Sequence, residues 1–416
     1  MANRRNLRLI YGGAFLRSAS IGLMGVVLGI YLARRNFSAT KIGLVLGVGL
    51  AGAALGTLLV SLRADRFGRR RMLVLLSILA AFGGLGLTLT NSFSGILLAA
   101  FFGTLNGMGT DRAGAYSLEQ AIIPQTVSSE GRTTALSWYN LVLDAGHALG
   151  ALASSLPLLL ERWFGISLFS AYAITFAVYA ACNLLSAVVY ASLSPEIEAL
   201  RTTTLPADAS HKISAKSRRI IGRFSAISGL DSLGGGLLTD ALFAYWFFLR
   251  FGVSEAALGP LFSAAHLLNS ASYLLAARLS RRIGLLNTMV FTHIPSSLFL
   301  MAVPFAPSFP LAIVLFLARE SLVEMDVPTR QSYLAAVVEP QDRTFASGVS
   351  NLTRNVSWAT VPVFAGYLMQ HLAAASPLFL GAAAKITYDL LLYATFRGVK
   401  PPEEDAPKRE AVSTAF

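Results

Sequence analysis

Charged side chains buried in apolar runs are the residues of this 416-residue chain best placed to do chemistry. One run carries Arg17. A second carries Asp111, Arg112, Tyr116 and Glu119. A third carries Asp231 and Asp240, and a fourth Arg319, Glu320, Glu324, Asp326 and Arg330. A charge at the centre of a bilayer costs roughly 2.5–3.5 kcal/mol on insertion scales, so a retained one is expected to face a cavity or a partner. An acid facing a cavity can take up and release a proton, which is the chemistry that proton coupling needs.

Helical spacing sorts these groups. At about 100° per residue, Arg319, Asp326 and Arg330 share one stripe, with Asp326 and Arg330 placed for an i,i+4 pair. Glu320 and Glu324 lie on the neighbouring stripe. Arg112, Tyr116 and Glu119 share a face. Asp231 lies among Gly229, Gly234, Gly235 and Gly236, a run that can bend a helix or admit a close neighbour. It is a candidate proton or cation site, and pairing with Arg17 is the alternative. Asn140, Asp144 and His147 share another face. Asp144 and His147 are spaced for a proton relay, since histidine titrates near physiological pH; a contact between Asp144 and Arg354 is the alternative. Lys385 and Asp389 are four residues apart and read as a structural pair. Two ligands are too few for a transition metal, so neither metal nor cofactor is expected.

Composition says what must hold these residues. The chain is 54% hydrophobic and 13% charged, against roughly 25% charged in soluble domains. That excludes a soluble enzyme, a nucleic-acid-binding protein and a disordered chain. Its net charge of +12 needs no acidic partner, because basic residues mark the cytoplasmic side of membrane proteins. The single cysteine, Cys182, excludes an intrachain disulfide framework. Gly-x-Ser-x-Gly, His-Glu-x-x-His and Walker-type phosphate loops are all missing from the sequence, so neither an enzyme nor ATP use is expected.

A membrane-spanning helix needs about 20 mostly apolar residues. Twelve such segments are predicted, at about 7–33, 42–62, 72–90, 95–123, 133–160, 164–192, 220–249, 256–277, 285–306, 309–337, 344–371 and 376–397. The first is too long for a signal-peptide core and reads as a retained helix. A polar stretch over 193–219 separates a six-helix bundle over 1–192 from a second over 220–397, and 398–416 forms a tail. Lys and Arg outside the segments gather on the side of the termini, notably Arg63 to Arg71, Lys212 to Arg223 and Arg278 to Arg282. Both termini are therefore expected in the cytoplasm.

The two bundles repeat each other. Ser38–Gly43 matches Ser254–Gly259, Asp65–Gly68 matches Arg281–Gly284, and Asp111 matches Asp326. Six helices per unit is an even number, so the repeats are parallel and related by an axis along the membrane normal. Six plus six helices, a long central linker and the basic loop Arg63–Arg71 together resemble the major facilitator superfamily. The stretch Asp65-Arg66-Phe67-Gly68-Arg69 is similar to that family's signature loop, and Pro124…Arg132 and Pro340…Arg343 to a second recurring pattern.

The resemblance implies an all-α fold of twelve transmembrane helices, with the first, fourth, seventh and tenth lining a central cavity. It implies a conformational latch at Asp65, Arg66, Gly68 and Arg69. The substrate and proton site is expected at Arg17, Asp111, Arg112, Tyr116, Asp231, Asp240, Arg319, Glu320, Glu324 and Asp326, with Asp144 and His147 as a relay. The function expected is a secondary active transporter of a small charged or zwitterionic solute, working by alternating access with protons. Its partners are the solute, protons and the bilayer, in a plasma membrane and as a monomer. A proton-driven multidrug exporter is the alternative. That would call for a more aromatic cavity with fewer arginines.

Overall fold

The computed structural model describes residues 4–110, 113–127, 132–198, 214–339, 342–399 and 401. The described residues are helical throughout, with short turns between elements. In chain order the helices are α1 (Arg4–Arg34), α2 (Ala39–Phe67), α3 (Arg69–Leu89), α4 (Phe93–Phe102), α5 (Gly114–Thr126), α6 (Arg132–Ala153), α7 (Leu156–Phe164) and α8 (Leu168–Ala191). There follow α9 (Ala215–Gly236), α10 (Asp240–Phe251), α11 (Glu255–Ile283), α12 (Leu285–Ala302), α13 (Phe309–Val323), α14 (Asp326–Val337), α15 (Arg343–His371) and α16 (Ser376–Phe396).

All twelve predicted segments are present, but four are two-part. The run read as one helix over 95–123 is α4 and α5, separated by an irregular stretch. There Thr104 and Gly109 take positive φ angles of 47° and 76°. The others are α6 with α7, α9 with α10, and α13 with α14. The loops of the repeat correspond. Gly68 and Gly284 close α2 and α11 with φ of 104° and 88°, a region open to glycine. The tight turn into the next helix therefore recurs in both halves.

Hydrophobic packing explains how the halves sit together. Toward the termini each half has its own core. One gathers Ile10, Val60, Leu118, Ile122, Tyr139 and Tyr190. The other gathers Phe224, Met289, Tyr333, Tyr388, Leu392 and Phe396. Away from the termini a single cluster joins both halves, with Val27, Ile42 and Leu105 packed together with Ala241, Trp246, Phe316 and Ala365. The molecule is thus closed at the end away from its termini. Exposed large apolar side chains such as Leu58, Phe82, Leu98, Val188, Leu274 and Phe291 cover the outer wall. Such a belt suits lipid rather than water.

Small residues make that closure tight. A Cβ added at Gly43 would lie 2.9 Å from the Cα of Gly366, and one at Gly366 would run into the Ala39 carbonyl. At the same end the guanidinium of Arg34 donates to both oxygens of Glu255, at 3.2 and 3.0 Å, and Tyr172 donates to the same carboxylate. Glu255 is fully buried, and Arg34 and Tyr172 of the first half meet its charge, so the contact ties the second half to the first.

The closure predicts a simple consequence. Spin labels on exposed Lys41 and Leu372, with Cys182 replaced by Ser, should report a longer distance when Gly366→Leu is introduced. The two helices cannot then approach. An unchanged distance distribution would mean that this contact does not hold the end shut.

Candidate functional site

Two broken spans meet at the centre of the molecule. The break between α4 and α5 is held by Asn106, whose Oδ1 accepts from the Met108 N–H at 2.7 Å and whose Nδ2 donates to the Thr110 carbonyl at 2.8 Å. The break between α9 and α10 follows three glycines. Thr239 then caps α10 by accepting from Leu242 N–H at 3.3 Å. The Gly107 carbonyl accepts from Ala241 N–H at 3.0 Å, so the irregular chain of one half docks on the restarted helix of the other. Gly109 lies so close to Asp240 that a Cβ there would overlap its carboxylate. Asp240 stands in the first turn of α10, where the helix dipole favours an acid.

A cavity of about 100 Å³ opens beside this junction. That is room for several waters, or for a small solute. Met108 and Thr110 contribute from the first half. The rest of its wall comes from the second half, including Asp231, Asp240, Asn269, Arg319, Glu320, Glu324, Asp326, Arg330, Arg354, Trp358 and Lys385.

One end of the cavity is a knot around Asp231. Lys385 Nζ donates to its Oδ1 at 2.8 Å, and Arg330 and Arg354 donate to its Oδ2 at 3.0 and 3.5 Å. Arg330 also donates to Asp326 at 2.8 Å. Lys385 lies 3.3 Å from His293, whose other ring nitrogen is 2.9 Å from Asp389. The Arg354 guanidinium stacks over Trp358, 4.8 Å from the ring centroid. Five helices are tied together here: α9, α12, α14, α15 and α16.

The other end is acidic. Glu320 accepts from Arg319 and from Asn269 Nδ2, the latter at 3.2 Å. Glu324 accepts from the Tyr273 hydroxyl at 3.3 Å. Asp240 Oδ2 lies 3.4 Å from His266 Nε2. The His266 ring is 5.6 Å from that of His147 across the two halves. His147 in turn lies 3.9 Å from Asp144, which accepts from Ser270 at 2.8 Å.

The structure gathers Asp231, Asp240, Arg319, Glu320, Glu324 and Asp326 of the expected site around one cavity. It places Arg17 and Tyr116 elsewhere. Arg17 pairs with Glu119, which also accepts from Tyr190 and, at 2.7 Å, from Tyr139. This buried set braces the first half. Tyr116 accepts from Gln120 at 2.6 Å and packs near Tyr139. Neither lines the cavity. Asp111 and Arg112 lie outside the described residues.

Three pairings change. Asp231 takes Lys385 and two arginines of its own half in place of Arg17. Lys385 and Asp389, expected to pair, are held apart by His293, which each approaches. Asp144 meets Ser270 and His147, while Arg354 turns to Asp231. Helical periodicity fixes the face of a side chain but not the helix opposite, so these partners were not legible. His266, His293 and Asn269 went unassigned because each is isolated in its own segment.

At the basic loop, Gly68 makes the turn between α2 and α3. The Glu198 carboxylate accepts from the backbone N–H groups of Arg69 and Arg70, at 2.6 and 3.3 Å, and so caps α3. Arg69 is buried and Arg66 exposed. The side chain of Asp65 lies outside the described set.

Comparison with known proteins agrees with this architecture. The Major Facilitator Superfamily model matches residues 10–319 and 224–415. An uncharacterized membrane protein of Saccharomyces cerevisiae is 27% identical over 425 residues, covering 95% of each chain. Among solved structures, a D-xylose-proton symporter superposes with a TM-score of 0.76 at 14% identity, covering 96% of this chain and 98% of the other. A nucleoside transporter gives 0.72 at 13% identity, covering 94% and 99%. An inward-facing bacterial homologue of the human lysosomal transporter Spinster gives 0.69 at 17% identity, covering 95% of each. At such identities these structures speak for the fold.

The knot makes a strong demand on stability. Asp231→Ala leaves three buried cations facing one another, and should cost about 3–5 kcal/mol, as breaking buried ion pairs does. Asp231→Asn combined with Lys385→Met should recover part of that loss. Unfolding midpoints in detergent measure both; an Asp231→Ala protein as stable as the parent would contradict the knot.

Proposed function

Because the chain belongs to the major facilitator superfamily, we propose that it carries a small charged or zwitterionic solute across the membrane by alternating access, coupled to protons. The observation that carries this reading is the cavity itself. Its wall combines four cations, Arg319, Arg330, Arg354 and Lys385, with five acids, Asp231, Asp240, Glu320, Glu324 and Asp326. So many charges in a small cleft are costly to hold away from water. A solute bearing charge offsets that cost, whereas a neutral one does not.

Alternating access is supported by the unequal ends. One is shut by a joint apolar cluster and by Arg34, Glu255 and Tyr172; the other is divided between two separate cores. Rocking of the halves about the cavity would exchange these states. Asp65, Arg66, Gly68 and Arg69 form a latch at the terminus end in the opposite state. The excess of Lys and Arg at that end supports cytoplasmic termini, and a plasma membrane is the setting this reading proposes. Each half closes on the other within one chain, which supports a monomer.

Proton movement runs through Asp144 and His147. They sit between the acidic end of the cavity and the first half, with His266 as the bridge. Both nitrogens of buried His147 lack a hydrogen-bond partner among the described residues, and the Asp144 carboxylate 3.9 Å away is the group that would stabilise its protonated form.

Purified protein in sealed vesicles should show saturable counterflow of a charged solute, with proton uptake in step. His147→Gln should keep counterflow and lose at least tenfold of the solute-driven proton uptake. Unchanged proton uptake in this variant would remove the relay. Counterflow of uncharged solutes alone would remove the charged-solute reading.

A further inference from the structure

The cavity's charges are sorted by sign along its length. At the knot, Arg330, Arg354 and Lys385 stand against Asp231 and Asp326, leaving an excess of cation. At the far end, Asp240, Glu320 and Glu324 stand against Arg319 and the His266 ring, whose Nε2 lies 3.4 Å from Asp240, so the acids outnumber the one permanent cation. Asp389 sits behind His293 and is outside the lining.

Unpartnered atoms point the same way. At the acidic end, Asn269 Oδ1 is a buried acceptor without a hydrogen-bond partner among the described residues, and Asp240 Oδ2 makes no hydrogen bond there either, meeting only the approach of His266 Nε2 at 3.4 Å. Both residues line the cavity. Buried polar atoms of this kind are normally satisfied, and each one left open invites a ligand or water. Two acceptors in an acid-rich end suit N–H donors carrying positive charge. At the other end, two guanidinium groups and an ammonium face the carboxylates of Asp231 and Asp326, three cations against two acids. That surplus of donors and charge suits a further carboxylate, and Arg side chains bind one through paired N–H groups.

The ends are well separated. Asp231 and Asp240 stand on α9 and α10, and Arg319 and Arg330 on α13 and α14, so in both spans the helix break lies between the two ends. Groups carried on separate helices suit an ammonium and a carboxylate held apart in the ligand rather than on one carbon.

We propose that the cavity binds an aminocarboxylate zwitterion whose ammonium and carboxylate are separated by a short carbon chain. The ammonium lies at Asp240, Asn269 and Glu320, and the carboxylate at Arg354, Arg330 and Lys385. This rests on the carrier reading above and narrows its substrate class. Opposed charges in one ligand match the field of the cavity at both ends. A lone amine or a lone acid would leave one end unmatched.

The experiment is calorimetric titration of the full chain in detergent with 4-aminobutyrate, butylamine, butyrate and a neutral sugar. The zwitterion should bind at least tenfold more tightly than either monovalent ion, and the sugar should not bind. Asp240→Asn should weaken 4-aminobutyrate at least tenfold while leaving butyrate within twofold. Arg354→Gln should weaken butyrate and leave butylamine within twofold. The ligand series on unaltered protein stands alone if either variant fails to fold. Butylamine or butyrate binding as tightly as 4-aminobutyrate would overturn the zwitterion and leave a charged-solute carrier in place. Binding of the sugar alone, or of none of the four, would overturn both.

Discussion

In a hydrocarbon surrounding, a charge that is not met by another charge or by water has nowhere to go. The meeting of Asp231 with Lys385, Arg330 and Arg354 is the interaction on which the second half depends. One carboxylate sits where helices α9, α12, α14, α15 and α16 converge. Without it, three cations would share a space of low dielectric and repel. With it, five helices acquire a common centre, and the charges left over face inward to a cavity instead of outward to lipid.

The first half solves the same problem differently. Arg17 and Glu119 form a buried pair with Tyr139 and Tyr190 as further donors to the carboxylate. That set is self-sufficient and lies away from the cavity. The two repeats thus share a backbone plan, with matching glycine turns at Gly68 and Gly284. They have diverged in the use of charge. One half keeps its ions for bracing and the other turns them toward a cavity. The asymmetry explains why the wall of the cavity draws mainly on the second half.

Much of the plan was legible in the sequence. Twelve apolar runs, the repeat and the gathering of basic residues at one end follow from composition and spacing, because the bilayer imposes a length and a side on every helix. The pairing of Asp326 with Arg330 was legible too, since it lies within one helix. The partners of Asp231, Lys385 and Asp144 were not. They depend on which helices face each other, and spacing within a segment carries no such information. The break after α4, over 103–110, was also missed, although Gly103, Gly107 and Gly109 crowd the stretch. An apolar run with glycines reads as continuous until another half is seen to press into it. The close packing of Gly109 on Asp240 supplies that pressure.

The central claim is that the cavity opens to one side at a time. Val327 lines it and is half-buried. A cysteine there, in a Cys182→Ser background, can be probed with a membrane-impermeant thiol reagent on vesicles of known orientation. The account predicts labelling from the side of the termini at rest, protection by bound solute, and labelling from the opposite side only during transport. Labelling from both sides at rest would mean a continuous pore, and would contradict it.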